Sequence, residues 1–192
     1  KQRIIRKLYN DITSAHLSED MLEDFQSAIS FVKNMMIEPI KLGDYRNSIE
    51  YFPQVFNAYE AFKKEHHLID FDDMLTKCLE ILETTPQMLN YYKAKFDYIQ
   101  IDETQDTSKV QHEIIRKLSS HHNNLFMVAD DDQSIYRFRG AFPEMLLEFN
   151  TIYPKGHIYY LETNYRSSEE IINVCSHVIS NNKSRYNKKF NP

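Results

Sequence analysis

The apolar residues of this chain recur at helical spacing over roughly the first ninety positions and at strand spacing from Phe96 onward, and this change of period restricts the fold more than any other feature. Before it, "RIIRKLYNDI" places Ile4, Ile5, Leu8 and Ile12 at helical intervals. "SEDMLEDFQSAISFVKNMM" comes next, with Ser18 or Asp20 as its cap. "EPIKLGDYRNS" interrupts the pattern with Pro39 and Gly43; "YFPQVFNAYEAFKKEHHL" and "DFDDMLTKCLEILET" then predict two more helices, the second ending before Pro86. After the change, "FDYIQID", "NLFMVAD" and "HIYYLE" predict three short strands, separated by helices in "SKVQHEIIRKLSS" and "PEMLLEFNTIY". Alternating strand and helix is the rhythm of an α/β fold, a parallel sheet with crossover helices. "SSEEIINVCSHVISNN" predicts a last helix, and "KSRYNKKFNP" a basic tail.

A chain of 192 residues can bury a core of its own. Its formal charge of −5 argues against nucleic-acid binding by bulk electrostatics, although a basic groove on an acidic protein is compatible with it. Cys78 and Cys175 lie far apart with no metal-ligand companion nearby, which points to idle thiols in a reducing, cytoplasmic setting rather than to a disulfide framework or zinc site. No apolar run approaches a membrane span and no leader pattern opens the chain. The chain starts at Lys1 within a helical pattern, as expected of a piece of a longer protein.

Acidic clusters come after the predicted strands, and ligands of open parallel sheets gather at the carboxyl ends of strands. Asp102 and Glu103 leave the first strand end in different directions, so one can hold the water shell of a magnesium ion while the other orients or deprotonates an attacking water. Taken alone, the pair also fits an acidic start to the next helix. Asp130, Asp131 and Asp132 come after the second strand, with Gln133 able both to donate and to accept hydrogen bonds. A calcium loop counted from Asp130 fails, because Ile135 stands where glycine is needed and Ala141 where a bidentate glutamate belongs. Tyr136, Arg137, Phe138 and Arg139 then interleave flat rings with guanidinium groups, a composition suited to single-stranded nucleic acid and equally to two core rings flanked by solvated arginines. Tyr165 and Arg166 stand just past the third predicted strand, where a ring can stack on a nucleobase and a guanidinium can reach phosphoryl oxygens. An ordinary strand-to-helix turn, capped by Ser167 or Ser168, is the plainer reading of that stretch.

In this order, "DETQD", "ADDDQSIYRFRGA" and "LETNYRSS" closely resemble motifs II, III and IV of the UvrD/Rep/PcrA family of superfamily-one DNA helicases, and "IDFDDML" resembles that family's short motif upstream of motif II. The resemblance covers most of residues 66–190. It implies an α/β fold: a helical 1B-like subdomain over residues 1–90, the later half of RecA-like domain 1A, part of a P-loop NTPase parallel sheet, over 91–156, and the start of domain 2A over 157–192. It further implies that Asp102 holds Mg²⁺ through its waters, that Glu103 activates the water attacking ATP, and that Gln133 senses the γ-phosphate. By the same likeness Tyr136, Phe138 and Arg139 meet DNA, Tyr165 stacks on adenine and Arg166 is an arginine finger. "DFDD", Asp70 to Asp73, is expected near the DNA path or the domain hinge. Phe138 stands where the family often has tryptophan, and Ala129 where it usually has glycine.

The phosphate cradle G-x-x-x-x-G-K-[ST] does not occur in this chain, and Gly43, Gly140 and Gly156 cannot supply it. The expectation is therefore a central segment of an ATP-dependent 3′-to-5′ DNA helicase or translocase of repair or replication, acting on single strands and duplex junctions, inactive as this segment alone and with its cradle upstream. The alternatives are a non-catalytic helicase-like module binding single-stranded DNA or protein, and the helicase part of a larger helicase–nuclease.

Overall fold

A computed structural model of the protein describes residues 1–43, 49–188 and Asn191. The expected break at "EPIKLGDYRNS" falls partly on residues 44–48, and the basic tail partly on Lys189, Phe190 and Pro192, which lie outside the described residues.

Five helices precede the strands: α1 (Gln2–Thr13), α2 (Glu19–Asn34), α3 (Phe52–Glu65), α4 (Phe71–Thr84) and α5 (Pro86–Lys95). Of the two candidate caps for α2, Ser18 is the cap, accepting from the Met21 N–H at 3.3 Å, while Asp20 lies inside the first turn. The segment after Pro86, to which apolar spacing assigns no element, forms α5, because proline at a first helical position removes no intrahelical bond. α1, α2 and α3 close on one apolar core in which Ile5, Phe25, Ile29, Phe52, Val55 and Tyr59 are buried. Phe25 meets Tyr9 edge-on at 5.7 Å and Phe52 at 6.0 Å.

α4 packs on both α2 and α6 (Lys109–Ser119), so it joins the helical block to the strand region. Its start is a capping box, with Asp70 accepting from the Asp73 N–H at 2.9 Å and Asp73 accepting from the Asp70 N–H at 2.8 Å.

The sheet is smaller than the sequence predicts. β1 (Ile99–Ile101) and β2 (Leu125–Met127) pair in parallel with Ile99 opposite Leu125 and Ile101 opposite Met127, and α6 is the crossover between them. The third predicted strand, "HIYYLE", is absent among the described residues: the nearest ladder contact is an isolated bridge from Thr163 to Asn191, and Leu161 is 94% exposed. A strand forms only where a neighbouring edge supplies a run of hydrogen bonds, and here the Glu162 carbonyl accepts one bond from the Asn191 N–H at 2.8 Å while no described strand is assigned beside residues 157–161. The single helix expected in "PEMLLEFNTIY" is two short pieces, α7 (Glu144–Leu147) and α8 (Phe149–Ile152), separated where Glu148 leaves helical geometry. α9 (Glu169–Ile179) starts behind Ser168, as predicted.

Candidate nucleotide and nucleic-acid site

The two paired strands deliver their acidic turns side by side. β1 ends at Ile101, whose carbonyl accepts from the Val128 N–H at 2.8 Å; the Thr104 N–H returns to the Val128 carbonyl at 3.0 Å. Asp102 and Glu103 are exposed on this turn, and Asp102 Oδ1 accepts from the Glu103 N–H at 2.9 Å. Glu103 adopts a left-handed backbone, φ 50°, a conformation costing a non-glycine residue on the order of 1–3 kcal/mol. The surrounding fold holds it there: Thr104 and Gln105 just after it are buried, and Gln105 Nε2 donates to Glu103 Oε2 at 2.6 Å.

The second turn starts at Asp130, whose N–H donates to Gln105 Oε1 at 3.0 Å. Asp130 in turn accepts from Gln133 Nε2 at 2.6 Å. Glu103 and Gln133 are thereby joined through Gln105 and Asp130. Across the same turn, Arg185 grips Asp132 with two bonds of 2.7 and 2.6 Å, Lys188 pairs with Asp130, Asp131 and Asp132, and the Tyr186 N–H donates to Asp131 at 2.8 Å. Burial works against charge on Asp130, but Lys188 and Gln133 outweigh it and hold the carboxyl below its usual range. The acidity of this turn is thus largely neutralised from within the chain.

Gln133, Tyr165 and Arg166 line one open depression of about 490 Å³ together with Asp130 and residues 161–164. Tyr165 is 94% exposed, and the turn presenting it is fixed by Asn164 Oδ1, which accepts from the Arg166 and Ser167 N–H groups at 2.9 and 3.0 Å. Among the described residues no group of three or more His, Cys, Asp or Glu side chains is arranged to hold a metal ion. The Asp102 carboxylate, exposed on the turn after β1, is a hard oxygen donor, the kind of group that can hold a hydrated Mg²⁺.

The aromatic and basic strip is exposed rather than packed in a core. Tyr136 and Phe138 lie 6.2 Å apart, Phe138 is 64% exposed, and the Arg139 guanidinium stands 5.2 and 5.4 Å from the two ring centroids. Arg137 pairs with Glu144. The strip ends at Gly140, φ 89°, where a Cβ would come within 2.7 Å of Asn34 Cβ on α2; glycine is what lets the strip dock on the helical block.

Two features are missed by reasoning from sequence. Asp73, inside "IDFDDML", is buried between Lys33 and Lys63, accepting from Lys63 at 2.6 Å, while Glu60 lies 2.9 Å from both ammonium groups. Tyr59 donates to Asp70 at 3.0 Å. Burial opposes charge on Asp73, yet the hydrogen bonds from Lys33 and Lys63 keep its carboxyl below the ordinary range. These acids tie α2, α3 and α4 together. The second feature is His112 on α6, which is 2% exposed. Its Nε2 lies 2.7 Å from Thr107 Oγ1, and Thr107 directs its own proton to the Thr104 carbonyl at 2.6 Å, so Nε2 carries the imidazole proton. Nδ1 is buried without a partner among the described residues, and burial pushes the imidazole down to about 4. An isolated "H" in an amphipathic helix carries no signal for either property.

A parallel strand pair joined by a crossover helix, with acidic turns at its carboxyl ends and a polar depression beside them, makes this an α/β protein, a class whose ligands gather at strand ends. The chain belongs to the UvrD/REP helicase family, whose N-terminal domain profile matches residues 1–154. It is 39% identical over 193 residues to the putative ATP-dependent DNA helicase YjcD of Bacillus subtilis (strain 168), an alignment covering 98% of this chain and 24% of that protein. To the ATP-dependent DNA helicase PcrA of Staphylococcus aureus (strain Mu50) it is 38% identical over 165 residues, covering 84% of this chain and 22% of the relative. The PcrA of Staphylococcus epidermidis (strain RP62A) is 36% identical over 163 residues, with the same coverage. The chain spans about a quarter of the length of the curated relatives it matches. None of its described helices is long and apolar enough to cross a membrane.

Proposed function

We propose that this chain forms the central part of an ATP-dependent DNA helicase or translocase. The observation that carries the reading is the shared depression of Gln133, Tyr165 and Arg166, joined through Asp130 and Gln105 to Glu103. In this reading residues 1–90 are the helical 1B-like subdomain, 91–156 the later half of RecA-like domain 1A, and 157–192 the opening of domain 2A. Glu103 takes a proton from the water that attacks the γ-phosphate, and Gln133 contacts that phosphate. Tyr165 stacks on adenine while Arg166 neutralises charge developing on the phosphoryl oxygens, since such transfers depend chiefly on positioning and charge stabilisation. Asp102 is the residue that would hold Mg²⁺, which supplies charge neutralisation at the phosphates. Tyr136, Phe138 and Arg139 receive single-stranded DNA, the rings stacking on bases. Gln133 and Tyr136 are separated only by Ser134 and Ile135, so closure around ATP can pass to the bound strand along one short segment. Movement in the 3′-to-5′ direction, action at duplex junctions, a role in repair or replication and a cytoplasmic location complete the proposal.

The test is ATP hydrolysis by the whole protein that carries this chain, with and without single-stranded DNA, beside residues 1–192 alone. DNA-stimulated turnover by the whole protein and none by residues 1–192, which lack a phosphate cradle, is expected. Glu103→Gln should then lower turnover by about 10² or more while ATP still binds. A whole protein that binds single strands without turnover would instead be a binding module.

A further inference from the structure

Gln105 is 1% exposed, yet it sits between two acidic turns and directs both ends of its amide to them. Oε1 accepts from the Asp130 N–H at 3.0 Å, and Nε2 donates to Glu103 Oε2 at 2.6 Å. The reverse amide orientation would set donor against donor at Asp130 and oxygen against carboxylate at Glu103, so chemistry fixes the assignment. The backbone agrees with the side chain, because the Gln105 carbonyl accepts from Ser134 Oγ in the next turn at 3.4 Å. Asp130 extends the connection to Gln133 and to Lys188.

We infer that Gln105 is a positioning residue that sets the Glu103 carboxylate and the Asp130–Gln133 turn relative to each other, so that a shift of either turn is felt by the other. The inference about Glu103 rests on the proposed hydrolysis; the link to Asp130 does not. Glutamate at this position keeps the shape and the acceptor and loses the donor. It also adds a carboxylate beside Glu103, where Asp102 and Asp106 already stand; Asp106 is held above its usual range by burial and by Glu103. Leucine loses both bonds.

Amide exchange of residues 1–192, read by NMR, tests the link. Gln105→Leu is expected to speed exchange at Asp130 by about ten-fold, the value of one ordinary hydrogen bond, with Phe25 in α2 as the unchanged reference. Gln105→Glu should leave Asp130 as protected as the wild type. Unchanged Asp130 exchange in Gln105→Leu overturns the link. Should exchange rise at Phe25 as well, the leucine variant has opened globally; Gln105→Asn, which keeps both polar atoms on a stem too short to meet both partners, then gives the answer by the same comparison. In the whole protein, Gln105→Glu should lower kcat for ATP by about ten-fold with KM within about two-fold, the split expected when a group is misplaced and binding is intact. Wild-type kcat in that variant overturns the role toward Glu103. A wild type without turnover counts against the proposed function, while Asp130 exchange still decides the link.

Discussion

The helical block and the acidic-turn region are built on opposite principles. In α1 to α3 large side chains such as Phe25, Phe52 and Tyr59 are almost wholly buried around one core, and the buried charges of that block are paired at a hub around Asp73. From β1 onward the buried side chains are few and about half of them polar: Thr104, Gln105, Ser108, His112 and Ser119 beside Val110, Ala141, Leu146 and Ile172. The strands leave Phe126 60% exposed, whereas parallel sheets are ordinarily covered on both faces. The first region is stabilised by apolar area and the second by named hydrogen bonds and ion pairs. The lesson is that the segment proposed to carry the chemistry is held by directional contacts, which set positions closely and contribute less to stability.

Substitutions can break or sharpen this contrast. The largest effect belongs to the helical block: Asp73→Ala leaves the buried Lys33 and Lys63 ammonium groups without their main partner, and urea unfolding should show a loss of about 3–5 kcal/mol. His112 comes next. Its ordinary value is 6.5 and its folded value about 4, so the unfolded chain binds the extra proton between these limits. Stability is therefore fully present above pH 6.5 and falls as pH drops toward 4, by up to about 3 kcal/mol at about 1.36 kcal/mol per unit. Denaturation curves at about pH 7 and about pH 5, which bracket the ordinary imidazole value, should differ by less in His112→Phe than in the wild type; equal differences would remove His112 as the cause. Arg185→Ala, which opens a two-bond pair at Asp132, should cost about 1–3 kcal/mol, with the penalty shrinking in high salt. A penalty as large as that of Asp73→Ala would mean the two regions do not differ as described. Phe138→Ala should change stability by about 0.5 kcal/mol or less, because the ring is exposed, and yet weaken single-strand binding by about 1–3 kcal/mol. Unchanged strand affinity would leave the exposed ring without a function.

Much of this protein is legible without its structure. The four longer helices of the first region match the spacing of their apolar residues, because a helix face is a local property with a fixed period. Both paired strands fall within "FDYIQID" and "NLFMVAD", and the acids at their ends stand where local turn chemistry puts them. The four short motifs are enough for the family, since such strings are read residue by residue. "HIYYLE" shows where this reading fails: its pattern suits a strand, but a ladder needs a partner, and partners are not written locally.

The sequence by itself determined the four longer helices of the first region, α6 and α9, the two paired strands, the order of the acidic turns and the family. Only the tertiary structure decided that Asp73 lies buried between lysines 40 and 10 residues away, that Arg185 closes on Asp132 across 53 residues, and that Gln105 reaches Asp130. Periodicity and turn propensity act over a few neighbouring residues, whereas the partner of a polar side chain depends on which distant segments the folded backbone brings within about 3 Å of it.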